Sequence, residues 1–123
     1  MIETETYKTI LKNIPVVTVD AVIQNNKGQY LLVKRNNKPL QGKWFVSGGR
    51  VLKNETLKNA IKRKVKEELG LKVVSAVPIG YYEDFYKANP FGLKCGIHTI
   101  SIVFSVKTNN LKVKLTDESS EYK

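Results

Sequence analysis

Cysteine is almost missing from this chain: among 123 residues only Cys95 carries a thiol. One thiol closes no internal disulfide and builds no zinc or dithiol redox motif, so stability must come from a packed core. No apolar run approaches the length of a bilayer span. The opening MIETETYK lacks the basic-then-apolar order of a secretory signal, so a cytoplasmic location is expected. Repeats, low-complexity tracts and linkers are also lacking, and the length predicts one domain over residues 1–123. Acidic residues are the minority, 11 against 21 Lys and Arg, a formal net charge of +10. Such a field draws in anions such as nucleotides, phosphorylated sugars or nucleic acid. Most of the lysines are scattered singly, however, as on an ordinary solvated surface.

What is present has the pattern of a soluble α/β domain, with 41% hydrophobic and 26% charged residues. VVTVDAVI (Val16 to Ile23) and YLLVKR (Tyr30 to Arg35) flank the turn-forming QNNKGQ, which predicts a β-hairpin. KPLQGKW reads as a loop, and the extended piece Trp44 to Ser47 ends at Gly48-Gly49. Leu57, Ala60, Ile61, Val65 and Leu69 recur at helical spacing, so a helix is expected from Glu55 to Leu69, with Gly70 as its C-cap. Strands are expected over Val73 to Tyr82, His98 to Lys107 and Leu111 to Leu115. An antiparallel hairpin combined with a helical crossover gives a mixed sheet.

The helix carries charge where it should be apolar. At about 100° per residue, Lys64 and Glu68 fall inside the stripe defined by Leu57, Ile61, Val65 and Ala60. One reading is an i,i+4 ion pair at the edge of the core. The other is a helix end that opens on a site, with Glu67 and Glu68 as hard oxygen ligands for a divalent cation. The preceding Gly48-Gly49 turn and Arg50, whose planar fork suits phosphate, favour the second.

GGRVLKNETLKNAIKRKVKEELGL (Gly48 to Leu71) resembles the Nudix box, G-x5-E-x7-R-E-U-x-E-E-x-G-U with U aliphatic. Gly49, Glu55, Arg63, Val65, Glu67, Glu68, Gly70 and Leu71 fall in register, and Lys64 stands where the pattern has a glutamate. The resemblance implies a Nudix-like α/β/α sandwich, an Arg63–Glu55 pairing that ties loop to helix, and metal-facing carboxylates at Glu67 and Glu68. Exchanging a carboxylate for Lys64 shifts the local charge by about two units, so a single Mg2+ (or Mn2+) is expected in place of several ions.

KRNNKPLQGKWFVSGGRV (Lys34 to Val51) and IPVVTVD (Ile14 to Asp20) are similar to the GDP-mannose mannosyl hydrolase branch of that superfamily. The branch cleaves a sugar C1–O bond instead of P–O–P. The likeness implies Arg35 and Arg50 on the diphosphate, Glu68 and the Gly48 carbonyl on Mg2+, Asp20 on the substrate, and His98 as a further candidate. Read without the family, Arg35 is better explained as a solvent-exposed strand end, Asp20 as one polar residue on the open face of an apolar strand, and His98 as structural. The branch carries a Gln-His pair after Asp-Glu near its end, supplying a metal ligand and a base. This chain reads LTDESSEYK, with Ser119 and Ser120 in that place, and a serine hydroxyl is a poor base near neutral pH.

The branch also implies a further helix after the last strand, and no such helix is expected within residues 1–123. The bare sheet face is therefore expected to meet a second copy in a homodimer. A conventional Nudix pyrophosphohydrolase and a catalytically weak nucleotide- or RNA-binding module are the alternatives. For RNA there is no clear stacking platform: Trp44 and Phe45 point to opposite faces of one strand.

Overall fold

A computed structural model describes residues 2–25, 27–35, 43–87, 96–110 and 119–122, the side chains of residues 35 and 119–122 excepted. Strand β1, Val16–Ile23, has partners on both edges. On one side it runs parallel to Ile97–Thr108, and on the other antiparallel to Ser47–Arg50, with Asp20 opposite Gly48. That double pairing decides the fate of the expected hairpin. The chain does reverse at Asn25–Gln29, where Asn25 Oδ1 accepts from the amides of Lys27 and Gln29. Only a single bridge, Gln24 to Tyr30, continues the pairing, because the edge of β1 beyond it is taken by Ser47–Arg50. The second arm becomes β2, Val33–Arg35, and joins a different sheet.

In chain order the remaining elements are α1 (Thr4–Asn13, preceding β1), β3 (Trp44–Phe45), β4 (Ser47–Arg50), α2 (Leu57–Leu69), β5 (Val73–Tyr86), β6 (Ile97–Thr108) and β7 (Ser119–Tyr122). The larger sheet has the order β4-β1-β6-β5 and the smaller one β3-β2-β7. The larger is mixed, as expected, since only β1 and β6 are parallel. The expected strand at Leu111 to Leu115 lies outside the described residues, as does Cys95.

Helix α2 starts where Thr56 accepts the Asn59 amide on its hydroxyl, and it ends at Gly70, whose φ of 68° is the left-handed cap conformation that favours glycine. Its Ala60, Ile61, Val65 and Leu69 pack on Val19, Ala21, Ile23, Phe104 and Val106 of the sheet. Leu57, placed in the apolar stripe by spacing alone, is exposed.

Helix α1 is the element that the sequence reading passed over. Its start has no side-chain cap, yet Tyr7, Ile10, Leu11 and Ile14 have helical spacing and Pro15 marks a stop. It lies on the sheet face opposite α2: Arg50 shares that face with Thr18 through the β1–β4 register, and its guanidinium sits 4.5 Å from the centre of the Tyr7 ring. The face expected to be bare thus carries a helix that precedes the sheet, which gives the α/β/α layering.

Strand β5 is an edge, and this explains how it tolerates Pro78: the ladder shifts register between Pro78 and Gly80. No helix among the described residues is long and apolar enough to cross a membrane. Truncating Phe104, the largest fully buried side chain among the described residues, to alanine is expected to cost about 3–5 kcal/mol by urea unfolding. A loss under about 1 kcal/mol would show that the layer between α2 and the sheet is not the core.

Candidate active site

Glu68 is 4% exposed, which is costly for a carboxylate unless donors meet it. Two do. The Ser47 hydroxyl and the Gly48 amide each donate to Glu68 Oε1 at 2.9 Å. Both donors come from β4, so the carboxylate pins the C-terminal half of α2 to the edge of the sheet. The charge that fell inside the apolar stripe is therefore met by donors of the neighbouring strand.

One turn earlier, Lys64 lies over Gly49. A methyl group on Gly49 would collide with its Cε, lie 2.9 Å from its Cδ and 3.2 Å from its Nζ. Glycine at 49 is thus the condition for this lysine path. The ammonium ends 3.5 Å from Glu67 Oε2, and Glu67 is half exposed and also faces Arg63 Nη1 at 3.4 Å.

Arg63 closes the loop before α2. Its Nε donates to Glu55 Oε2 at 2.7 Å and its Nη2 to Glu55 Oε1 at 3.0 Å and to the Arg50 carbonyl at 2.9 Å. Glu55 in turn accepts from the Leu52 amide at 3.1 Å. This is the pairing that the box resemblance implies. The Arg63 hydrogen bond holds the Glu55 carboxyl below its ordinary range, and the same contact raises the Arg63 guanidinium.

On the other face of β4, Asp20 is nearly as buried as Glu68. Its Oδ2 accepts from the Ser101 hydroxyl at 2.9 Å and from the Tyr82 hydroxyl, while Thr18 donates to Ser101 at 2.7 Å. Burial, with the Asp20 carboxylate second, pushes the Tyr82 phenol far up, so Tyr82 remains a donor. A side chain at Gly48 would collide with the Val19 carbonyl and with Asp20 Oδ1. Gly48 is therefore the meeting point, with Glu68 on its amide and Asp20 against its Cα. Tyr82, Ser101 and Thr18 escaped the sequence reading. Their only trace is alternation: in register they share one sheet face with Asp20.

The structure brings Asp20, Gly48 and Arg50 to one face of β4, and Gly49, Lys64 and Glu67 to the other, with Glu68 at the edge. It does not bring His98 to Asp20. His98 shares its face with Ile100, Ile102 and Phe104, stacks on Phe85 at 4.3 Å and has Nε2 3.8 Å from Glu83. The backbone of Arg35 pairs with Ser119, which places β7 beside β2.

Among the described residues no three of His, Cys, Asp and Glu converge into a ready-made cation cage. The Glu68 carboxylate beside the Gly48 backbone, with Glu67 next to it on the helix, is nevertheless the kind of hard oxygen set that suits Mg2+, which commonly takes one or two carboxylates and completes its shell with water and substrate phosphate. The residues fit an ion shared with a bound phosphate.

The NUDIX domain family model matches residues 14–123. The chain belongs to the Nudix family. Low-salt glycan biosynthesis protein Agl8 of Haloferax volcanii is 36% identical over 117 residues, covering 95% of this chain and 74% of that protein. An ADP-ribose pyrophosphatase of Methanocaldococcus jannaschii is 35% identical over 107 residues, 87% of this chain but only 59% of the relative's length. Among solved structures, a MutT protein from Methanosarcina mazei Go1 superposes with a TM-score of 0.75 at 33% identity, covering 90% of this chain and 77% of its own. The Nudix box is thus the β4–α2 segment, and Lys64 is its one departure from the pattern quoted above.

Because the folded Glu55 titrates below its ordinary value of 4.5, its pair with Arg63 stabilises the fold fully above that value. The contribution is lost as pH falls through the lowered value. Glu55→Gln is expected to cost about 1.5–3 kcal/mol in urea unfolding at neutral pH. The gap to the parent should shrink on acidification below about pH 4. A pH-independent difference would show that the ion pair is not its source.

Proposed function

We propose that this Nudix protein hydrolyses a nucleotide sugar, GDP-mannose foremost, at the glycosyl C1–O bond, releasing nucleoside diphosphate and free sugar. The observation that carries the reading is the Lys64 ammonium set among the box carboxylates, 3.5 Å from Glu67. A box so depleted in negative charge is poorly suited to gathering several metal ions around an attacked phosphorus. A reaction at carbon asks less of it: a diphosphate leaving group must be stabilised and water must be delivered. The likeness to a protein of glycan biosynthesis supports a sugar-bearing substrate.

In this reading Glu67, Glu68 and the Gly48 carbonyl hold one Mg2+, or Mn2+ in its place. When bound, the ion supplies positive charge to the departing diphosphate. The protein's own share is positioning. Glu68 is held in one orientation by Ser47 and Gly48. Arg50 offers its guanidinium to the diphosphate from beneath Tyr7, and the family resemblance assigns Arg35 to the same group. Asp20, oriented by Tyr82 and Ser101, contacts the substrate beside Gly48. His98, facing away from Asp20, has its place on the α2 side of the sheet, where Glu83 sits beside it.

The alternative is a conventional pyrophosphohydrolase, which the likeness to an ADP-ribose pyrophosphatase favours. Incubation with Mg2+ and a panel of GDP-mannose, GDP-glucose, ADP-ribose and nucleoside triphosphates decides between them. GDP and free mannose are expected. GMP with mannose 1-phosphate would establish the alternative, and binding without turnover of any substrate would leave a binding module. Glu68→Gln is expected to lower Mg2+-dependent turnover on the order of 100-fold, and unchanged turnover would remove Glu68 from the site.

We also propose a homodimer. The edge strand β5 exposes Val77, Ile79 and Tyr81, a strip that a second copy would cover. Light scattering is expected to give twice the chain mass, and the monomer mass at every concentration would overturn it.

A further inference from the structure

Lys64 is deeply set. Its side chain is 13% exposed, against 52% for Glu67, the partner it reaches at 3.5 Å. Arg63 already serves that carboxylate, with Nη1 at 3.4 Å from both of its oxygens. The lysine stem gains its cover by crossing Gly49, a path that exists only because position 49 has no Cβ. The stem therefore buries apolar methylenes while carrying the ammonium to the seam between β4 and α2. At that seam the Glu68 carboxylate is fixed on Ser47 and Gly48.

The charge balance of the seam gives the position its meaning. Glu55, Glu67 and Glu68 set against Arg63 and Lys64 leave one net negative charge, whereas a carboxylate at 64 would leave three. A seam of charge minus three attracts divalent cations strongly and repels a diphosphate until they arrive. A seam of minus one has far less of either tendency. An ammonium is also a compact, strongly hydrated cation with three donors, which phosphate oxygens accept well.

We propose that Lys64 is a built-in cation that takes the place of one divalent metal in the Nudix box, so that a nucleoside diphosphate group is bound by its ammonium together with a single metal ion. This deepens the reading above in one respect, since it assumes that the diphosphate lies on the box. It does not depend on the sugar or on the bond that is cleaved.

Two measurements test it without recourse to turnover. The first is calorimetric binding of GDP in the presence of a chelator. The parent protein is expected to retain measurable affinity, and Lys64→Met to lose about tenfold or more. The methionine keeps an unbranched stem over Gly49 without the charge, and an unchanged urea midpoint confirms that the fold is kept. Equal affinity of parent and Lys64→Met, or no binding by the parent until metal is added, would overturn the proposal. The second is the number of Mn2+ ions bound per chain with GDP present, read by electron paramagnetic resonance. One ion is expected for the parent and two for Lys64→Glu; one ion in both would overturn the proposal. If GDP-mannose is not hydrolysed but GDP binding follows this pattern, the substrate reading fails and the role of Lys64 stands.

Discussion

A carboxylate buried at 4% exposure, Glu68, is the constraint around which the box is arranged. Its oxygen accepts from Ser47 and Gly48 of β4, so the strand and the helix cannot slide past each other without stranding a buried charge. Gly48 must be glycine because the Val19 carbonyl and the Asp20 carboxylate press against its Cα from the other side. At Gly49 the Lys64 side chain crosses the backbone, and a Cβ there would displace the lysine's flexible end. The glycine pair is thus less a flexible turn than a place where side chains from both faces approach the backbone of one short strand.

Around this point the loop is tied down separately. Arg63 bridges Glu55 and the Arg50 carbonyl, which joins the segment before α2 to the last residue of β4. Arg50 is therefore held through its backbone by α2 and through its guanidinium by Tyr7 of α1. Helices on the two faces of the sheet converge on one residue. A basic side chain restrained at both ends loses little freedom on meeting an anion, and that preorganisation favours binding.

The two carboxylates of the seam differ in kind. Glu68 is buried, singly oriented and anchored to backbone and hydroxyl donors. Glu67 is half exposed and lies between two cations. Adjacent positions on a helix are about 100° apart, so one reaches the strand while the other stays at the rim. The difference separates a structural anchor that can also offer oxygen from a charge that is already largely balanced.

Much of this was legible in the residue order. The apolar spacing of Ala60, Ile61, Val65 and Leu69, with Gly70 beyond, specified α2, because helical periodicity and capping are local properties. The same periodicity placed Lys64 and Glu68 on the inner side, and the resemblance to the Nudix box implied the pairing of Glu55 with Arg63. Pairing between distant strands was beyond its reach. That β1 would take β4 and β6 and release β2 to another sheet depends on which edges are already occupied. That Asp20 would meet Tyr82 and Ser101, positions 62 and 81 residues away, depends on register. His98 was a site candidate by resemblance, and alternation along β6 turned it to the face away from Asp20. The sequence by itself determined the helix, its C-cap and the charges it carries inward; only the tertiary structure decided which side of β4 each charge would face, because strand register is set by contacts among the whole set of strands and not by any one of them.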